Sequence, residues 1–175
     1  TQTDLQLLSA VLNAAMTDIC AEEYTAELLE KVIQYYQELA QLAEKNDKMA
    51  VACSFYTKAH ACMTQMAEKT NDAYWQRAIS VVCEDLGRLL KKQGKIDEAL
   101  KHYMRSLEIR LQLQNDTELA KDDLAIAYYN IGYLLQSKDM LEKARQLWLE
   151  LDGIAPHAYK RKLEIVSRIM EAFCP

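Results

Sequence analysis

An all-α fold is what this sequence predicts, and three observations carry it. Gly and Pro are scarce, four and two in 175 residues, while the strong helix formers Ala, Leu, Glu, Lys and Gln are abundant. Apolar residues recur at three- and four-residue spacing along most of the chain, the period of a helix with one buried stripe. The stripes are interrupted by short polar breaks at Asn46-Asp47-Lys48, Thr70-Asn71-Asp72, Gln93-Gly94, Gln114-Asn115-Asp116 and Asp152-Gly153. Such breaks carry the capping residues that start and stop helices. About eight helices follow, with no strand signal.

Taken in order, the first predicted helix runs from about Thr3 to Cys20 on the stripe Leu5, Leu8, Leu12 and Met16, with Thr3-x-x-Gln6 as a capping box. The second spans about Thr25 to Lys45 and turns Leu28, Leu29, Val32, Tyr36, Leu39 and Ala43 inward. Asp47 reads as the N-cap of a third helix, Met49 to about Glu68, with Ala52, Tyr56 and Ala59 on one face. Asp72 caps a fourth, about Ala73 to Lys92, which holds Ile79, Cys83, Leu86, Gly87 and Leu90. The fifth runs from about Ile96 to Leu113. The sixth, about Glu118 to Gln136, carries Leu124, Tyr128, Ile131, Gly132 and Leu135. Asp139-x-x-Glu142 resembles a capping box for a seventh helix, which Gly153 stops near Leu151. Pro156 suits the first turn of an eighth, reaching about Phe173.

Composition bounds the function. The chain is long enough to bury a substantial core as a single domain over residues 1–175. The start at Thr1, with neither an initiator Met nor a signal-peptide layout, leads us to expect a fragment of a longer protein. A net charge of −5 argues against nucleic acid as the main partner. No apolar run approaches the roughly 18 residues of a membrane span. The five cysteines (Cys20, Cys53, Cys62, Cys83, Cys174) are odd in number and lack C-x-x-C spacing, so they read as small core residues in a reducing, cytoplasmic setting. His60 and Cys62, two residues apart on a helix, point to different sides and do not converge on a metal, and no metal or cofactor is expected. His60, His102 and His157 are scattered over three helices, and no glycine-rich phosphate loop is present. The adjacent pairs Glu22-Glu23 and Asp122-Asp123 project to different sides of a helix. No catalytic residue is expected, and the chain reads as a non-enzyme.

Superposing the helix pairs exposes a repeat. Tyr36, Leu39, Ala40, Ala43, Ala52, Tyr56 and Ala59 form one set, and Cys83, Leu86, Gly87, Leu90, Ala99, Tyr103 and Ser106 match it at the same spacing. Tyr128, Ile131, Gly132, Leu135, Ala144, Trp148 and Leu151 form a third, followed by Pro156. Each set keeps a small residue at the expected crossing of its two helices, and an aromatic follows the facing Ala. The stretch around Leu86-Gly87 and Ala99-x-x-x-Tyr103-x-x-Ser106 resembles the tetratricopeptide repeat, whose helix–turn–helix consensus contains L-G-x-x-Y and then A-x-x-x-F-x-x-A. The resemblance covers about Gln34 to Pro156 and implies a right-handed superhelix of antiparallel helix pairs, with units at about 25–68, 73–113 and 118–151 and terminal helices at about 3–20 and 156–173. The period departs from the ordinary 34 residues. Ala40 and Gly87 lie 47 apart and Gly87 and Gly132 lie 45 apart, which is similar to the long-period relatives in kinesin light chains and bacterial regulatory proteins. Leu151 also departs, because the family prefers a small residue there.

In that family the first helix of each pair lines a concave groove that holds a partner segment. Carried onto this chain, the resemblance implies groove residues Gln37 and Gln41 in the first unit, with Gln34 and Glu44 beside them. It implies Glu84, Arg88, Lys91 and Lys92 in the second unit, and Tyr129, Tyr133 and Gln136 in the third. A basic middle and an aromatic end suit a protein or peptide bearing an acidic group and an apolar anchor. The clamp some relatives use for an acidic chaperone tail is not matched, since Asp85 and Ile126 occupy two of its places. The leading expectation is an interaction scaffold, with a ligand- or peptide-sensing module of a signalling regulator as the alternative. The terminal face Leu163, Ile165, Val166, Ile169 and Met170 raises the further expectation of a homo-oligomer through the C-terminal helix.

Overall fold

A computed structural model of the chain describes residues 26–113 and 117–173. The expected helix over 3–20 with its capping box at Thr3 and Gln6, the turn at 114–116, Cys20 and Cys174 lie outside those residues. The described residues form seven helices and are all-α: α1 (Ala26–Lys45), α2 (Met49–Thr70), α3 (Ala73–Lys92), α4 (Ile96–Gln112), α5 (Glu118–Leu135), α6 (Lys138–Ile154) and α7 (Lys160–Phe173). They fall into two compact units divided between Lys69 and Thr70, with α1 and α2 in the first and α3 to α7 in the second. In each, successive helices pack as antiparallel pairs. None of the described helices is long and apolar enough to cross a membrane.

One device closes all three tight hairpins. The amide N–H of Lys48 donates to Ala43, that of Lys95 to Leu90 and that of Ser137 to Gly132, each reaching back five residues at 2.9–3.0 Å. The residue before each donor is left-handed: Asp47 at φ 57°, Gly94 at φ 77° and Gln136 at φ 52°. This is the Schellman geometry, which satisfies carbonyls that the helix end would otherwise leave without donors. Asp47 therefore ends α1 rather than capping α2, a correction to its reading as an N-cap. Asp72 does cap α3, its carboxylate accepting from the Tyr74 amide at 2.9 Å.

The second hairpin, α3–α4, packs around Leu90, Ala99 and Tyr103, with Ile131 of α5 closing the same cluster. Gly87 has to be a glycine there, because a Cβ would stand 2.6 Å from the Tyr103 ring. The third hairpin, α5–α6, is shifted in register relative to the sequence reading. Its left-handed residue follows Gly132 by four positions, whereas Asp47 follows Ala40 and Gly94 follows Gly87 by seven. Gly132 is still a close approach, and what it meets most closely is Leu141, whose backbone nitrogen lies 2.9 Å from where a Cβ would be. Counted from the bend, Tyr129 takes the place of Gly87 and Leu141 the place of Ala99. Both of those places gain bulk, and the glycine sits instead at the place of Leu90, four residues before the bend.

Three boundaries also move. The capping box at Asp139 and Glu142 does not form; Ser137 is the N-cap of α6, and Asp139 and Glu142 pair instead with Lys143 and Arg145 at 2.8 and 2.9 Å. Gly153 does not stop α6, which continues to Ile154. Pro156 lies in the connecting turn before α7, which begins at Lys160, so it is not a first-turn proline.

Candidate partner-binding face

In the second unit the odd helices α3, α5 and α7 run side by side and parallel. Arg77 of α3 binds Asp123 of α5 near their starts, through Nε at 2.6 Å and Nη2 at 3.2 Å. Near their ends, Lys91 of α3 holds its ammonium 4.7 Å from the Tyr133 ring centroid of α5. The same order recurs across α5 and α7. Lys162 binds both carboxylate oxygens of Asp122 at 2.5 and 2.8 Å, and Phe173 meets the Tyr133 ring at 6.0 Å. Asp122 and Asp123 thus point to opposite flanks of α5, as their adjacency on a helix requires. Each ties the helix to a different neighbour.

Between those ties lies a row of aromatic rings. Tyr129 and Tyr133, one turn apart on α5, stack with centroids 6.2 Å apart, and Tyr129 meets Trp148 of α6 at 5.8 Å. Trp148 is buried, and its indole N–H donates to Asp122 at 2.8 Å. Lys162 closes the row, 5.6 Å above the Trp148 ring. Tyr133 stays 40% exposed at the other end. Burial pushes the Tyr129 hydroxyl pKa up and, with help from Arg88 and Lys92, pushes the Lys91 pKa down. Both directions report groups partly removed from water.

The residues carried over from the repeat resemblance separate accordingly. Lys91, Tyr129 and Tyr133 come together on α3 and α5; Arg88 lies about one turn before Lys91 on α3, and Lys92 is exposed beside Lys91. Arg88 pairs with Asp85 at 2.9 Å. Gln136 is the exposed left-handed residue of the third bend. Gln37 and Gln41 lie one turn apart on α1 of the first unit, half-buried and exposed respectively.

Glu84 does not face outward with them. Its side chain is 15% exposed and binds Arg110 of α4 at 2.8 Å, with the Ser106 hydroxyl donating to it at 3.4 Å. Burial pushes the Glu84 carboxyl up to about 7, with Arg110 pulling the other way. Arg110, at 4% side-chain exposure, also donates to the Ser80 hydroxyl at 3.3 Å and to the Asp123 backbone carbonyl. The sequence reading missed Arg77, Arg110 and Asp123. A signal was present for Arg110, which continues the inward stripe Ala99, Tyr103, Ser106 at four-residue spacing and so required an acid opposite it.

The C-terminal helix covers most of the apolar face ascribed to it. Val166 is fully buried, and Leu163, Ile169 and Met170 pack against the α5–α6 cluster, leaving Ile165 exposed. Cys62 and Cys83 are buried, and burial pushes the Cys83 thiol up to about 11. That is the signature of a packing thiol rather than a nucleophile. Among the described residues, no group of three or more His, Cys, Asp or Glu is placed to hold a metal ion.

Comparison with known proteins agrees with the packing. The tetratricopeptide repeat family model matches residues 81–113, which are the end of α3 and all of α4. Among solved structures, the chain is similar to BtubC (BKLC) from P. vanneervenii, at 17% identity and a TM-score of 0.59, over 97% of this chain. It spans 65% of the length of that structure. A looser likeness, to a filament named DHF58, has 14% identity and a TM-score of 0.38 over 99% of this chain and 93% of the other. No curated protein matches the sequence significantly. Repeats of this family are generally protein–protein interaction modules and typically non-catalytic. Residues 81–113 match the tetratricopeptide repeat model, within a fold of sequential antiparallel helix pairs.

Proposed function

We propose that the chain is a protein-interaction module whose second unit holds a segment of a partner protein across the face formed by α3, α5 and α7. An acidic group of that segment meets Arg88, Lys91 and Lys92, and an apolar or aromatic side chain packs on Tyr133 and Tyr129. The observation that carries this is Tyr133, 40% exposed yet fixed between the Lys91 ammonium, Tyr129 and Phe173. A ring held in place from three sides loses little freedom on binding, and Tyr and Arg are the residue types that dominate binding hot spots. The Arg88–Asp85 pair is exposed enough to exchange at little cost, since surface pairs contribute ~1 kcal/mol or less. A protein partner suits the net charge of −5 better than nucleic acid does. Gln37 and Gln41 offer hydrogen bonds on the first unit, and buried thiols suit a cytoplasmic protein.

The test is selection of a random displayed-peptide library on the whole chain, beside Arg88→Glu and Tyr133→Ala. Wild type should enrich peptides with an acid near an apolar residue. Arg88→Glu should lose the acid preference, and Tyr133→Ala should lose the apolar one with helicity unchanged. Retention of the same peptides by both variants would place the binding elsewhere.

A further inference from the structure

A cavity of about 210 Å³ lies at the opposite end of α3 and α5 from Lys91 and Tyr133, where the starts of those helices meet the end of α4. Most of its wall is apolar, with Tyr74, Leu113 and Leu119 its largest apolar members. Tyr74 is 63% exposed and Leu119 56%, a concentration of apolar surface at one mouth. The polar part of the wall is Thr117 with Arg77, Arg110 and Asp123, two guanidiniums against one carboxylate. Both Asp123 oxygens are engaged by Arg77 through Nε and Nη2, and Nη1 takes no part in that pair. Arg110 is turned away toward Ser80 and Glu84, and Glu84 stands behind it, outside the wall. The charged groups that line the cavity are thus two cations and one anion, with the second carboxylate set back behind Arg110.

We propose that this cavity is a ligand site for a small carboxylate with a compact apolar body, of the size of phenylacetate. The carboxylate pairs with Arg77 through Nη1, and the body packs among Tyr74, Leu113 and Leu119. Size argues for a ligand of this class, because an apolar cavity of roughly 150 Å³ already accepts benzene while drug-sized ligands need about 300 Å³ or more. Charge argues for an acid over an amine or a neutral compound. The site is separate from the α3–α5–α7 face and stands or falls independently of it.

Titration of the whole chain with phenylacetate, followed by amide chemical shifts, tests this against the neutral isostere phenylacetamide. Wild type should bind the acid about tenfold or more tightly than the amide, the worth of one charge-assisted hydrogen bond. Arg77→Gln should bring the two affinities together, while Leu119→Trp, a change at an exposed residue, should narrow the mouth and weaken both. Shifts should concentrate on residues 73–77 and 117–123. Equal affinities in wild type, no binding of either compound at about 10 mM, or full retention of binding by Leu119→Trp would each overturn the proposal.

Discussion

Gly132→Ala is the sharpest test of how the α5–α6 hairpin is built. In an open helix this change would stabilise, because Ala exceeds Gly in helix propensity by about 1 kcal/mol. Here the added Cβ would lie 2.9 Å from both the Leu141 side chain and the Leu141 backbone nitrogen. Comfortable carbon contacts begin near 3.5 Å, so the helices must separate by about half an ångström or more. A side chain alone can swing away, but the backbone nitrogen belongs to α6 and moves only with the helix. Leu141, Ala144, Trp148 and Leu151 are all buried along that helix and would loosen together. Overpacking of this kind costs about 1–3 kcal/mol, and a rigid obstacle puts it toward the upper end. Less the propensity gain, a net loss of about 1–2 kcal/mol is expected. Gly153→Ala is the internal control, since it too sits in α6 but a Cβ there meets nothing within 4 Å. It should gain up to about 1 kcal/mol. Urea denaturation of both variants, followed by far-ultraviolet circular dichroism and tryptophan fluorescence, reads the difference. A midpoint for Gly132→Ala equal to or above wild type would refute the close crossing.

Arg110→Ala should destabilise by about 3–5 kcal/mol in the same assay, because it leaves Glu84 without its buried cation and the Asp123 backbone carbonyl without its donor. Stability should also depend on Glu84: the folded protein holds its proton up to about pH 7, while the unfolded chain releases it near 4.5. Raising the pH through that window favours unfolding, so the midpoint should fall from pH 4.5 to 7, and Glu84→Gln should flatten that fall. Gln136→Gly should raise stability by about 1 kcal/mol by removing a left-handed non-glycine residue, and a fall in its urea midpoint would contradict the bend geometry.

The all-α class and the order of the helices were legible because apolar period and polar breaks are local signals. Asp72 was legible as a cap for the same reason. Asp47 was not, since the same break chemistry serves a helix end as well as a helix start, and only the five-residue hydrogen bond from Lys48 to Ala43 decides between them. The register of the third repeat was missed because the reading matched Gly132 to Gly87 by type and kept a 12-residue step to the facing Ala. The bend lies three residues closer to Gly132, a shift a helix pair accommodates by exchanging which partner carries the bulk. Leu141 against Gly132 replaces the pairing of a large α3 residue, Leu90, with Ala99. The small and the large residue change helices between the two units, so a column-by-column match fails at this one.

The same limit governs the candidate face. Glu84 and Arg88 stand four residues apart, about 40° around the helix, close enough that spacing alone puts them on one side. What separates them is the neighbour each meets. Arg110 reaches across from α4 and draws Glu84 into a buried pair, whereas Arg88 pairs with Asp85 of its own helix nearer the surface. A residue on the margin between core and surface is assigned by the charge opposite it, and that charge sits 26 positions away in the chain. Arg88, Lys91 and Lys92 are left as the cations of α3 beside Tyr133. Reversing the sign at Arg88 should therefore alter which peptides bind, and reversing it at Arg110 should instead unfold the second unit.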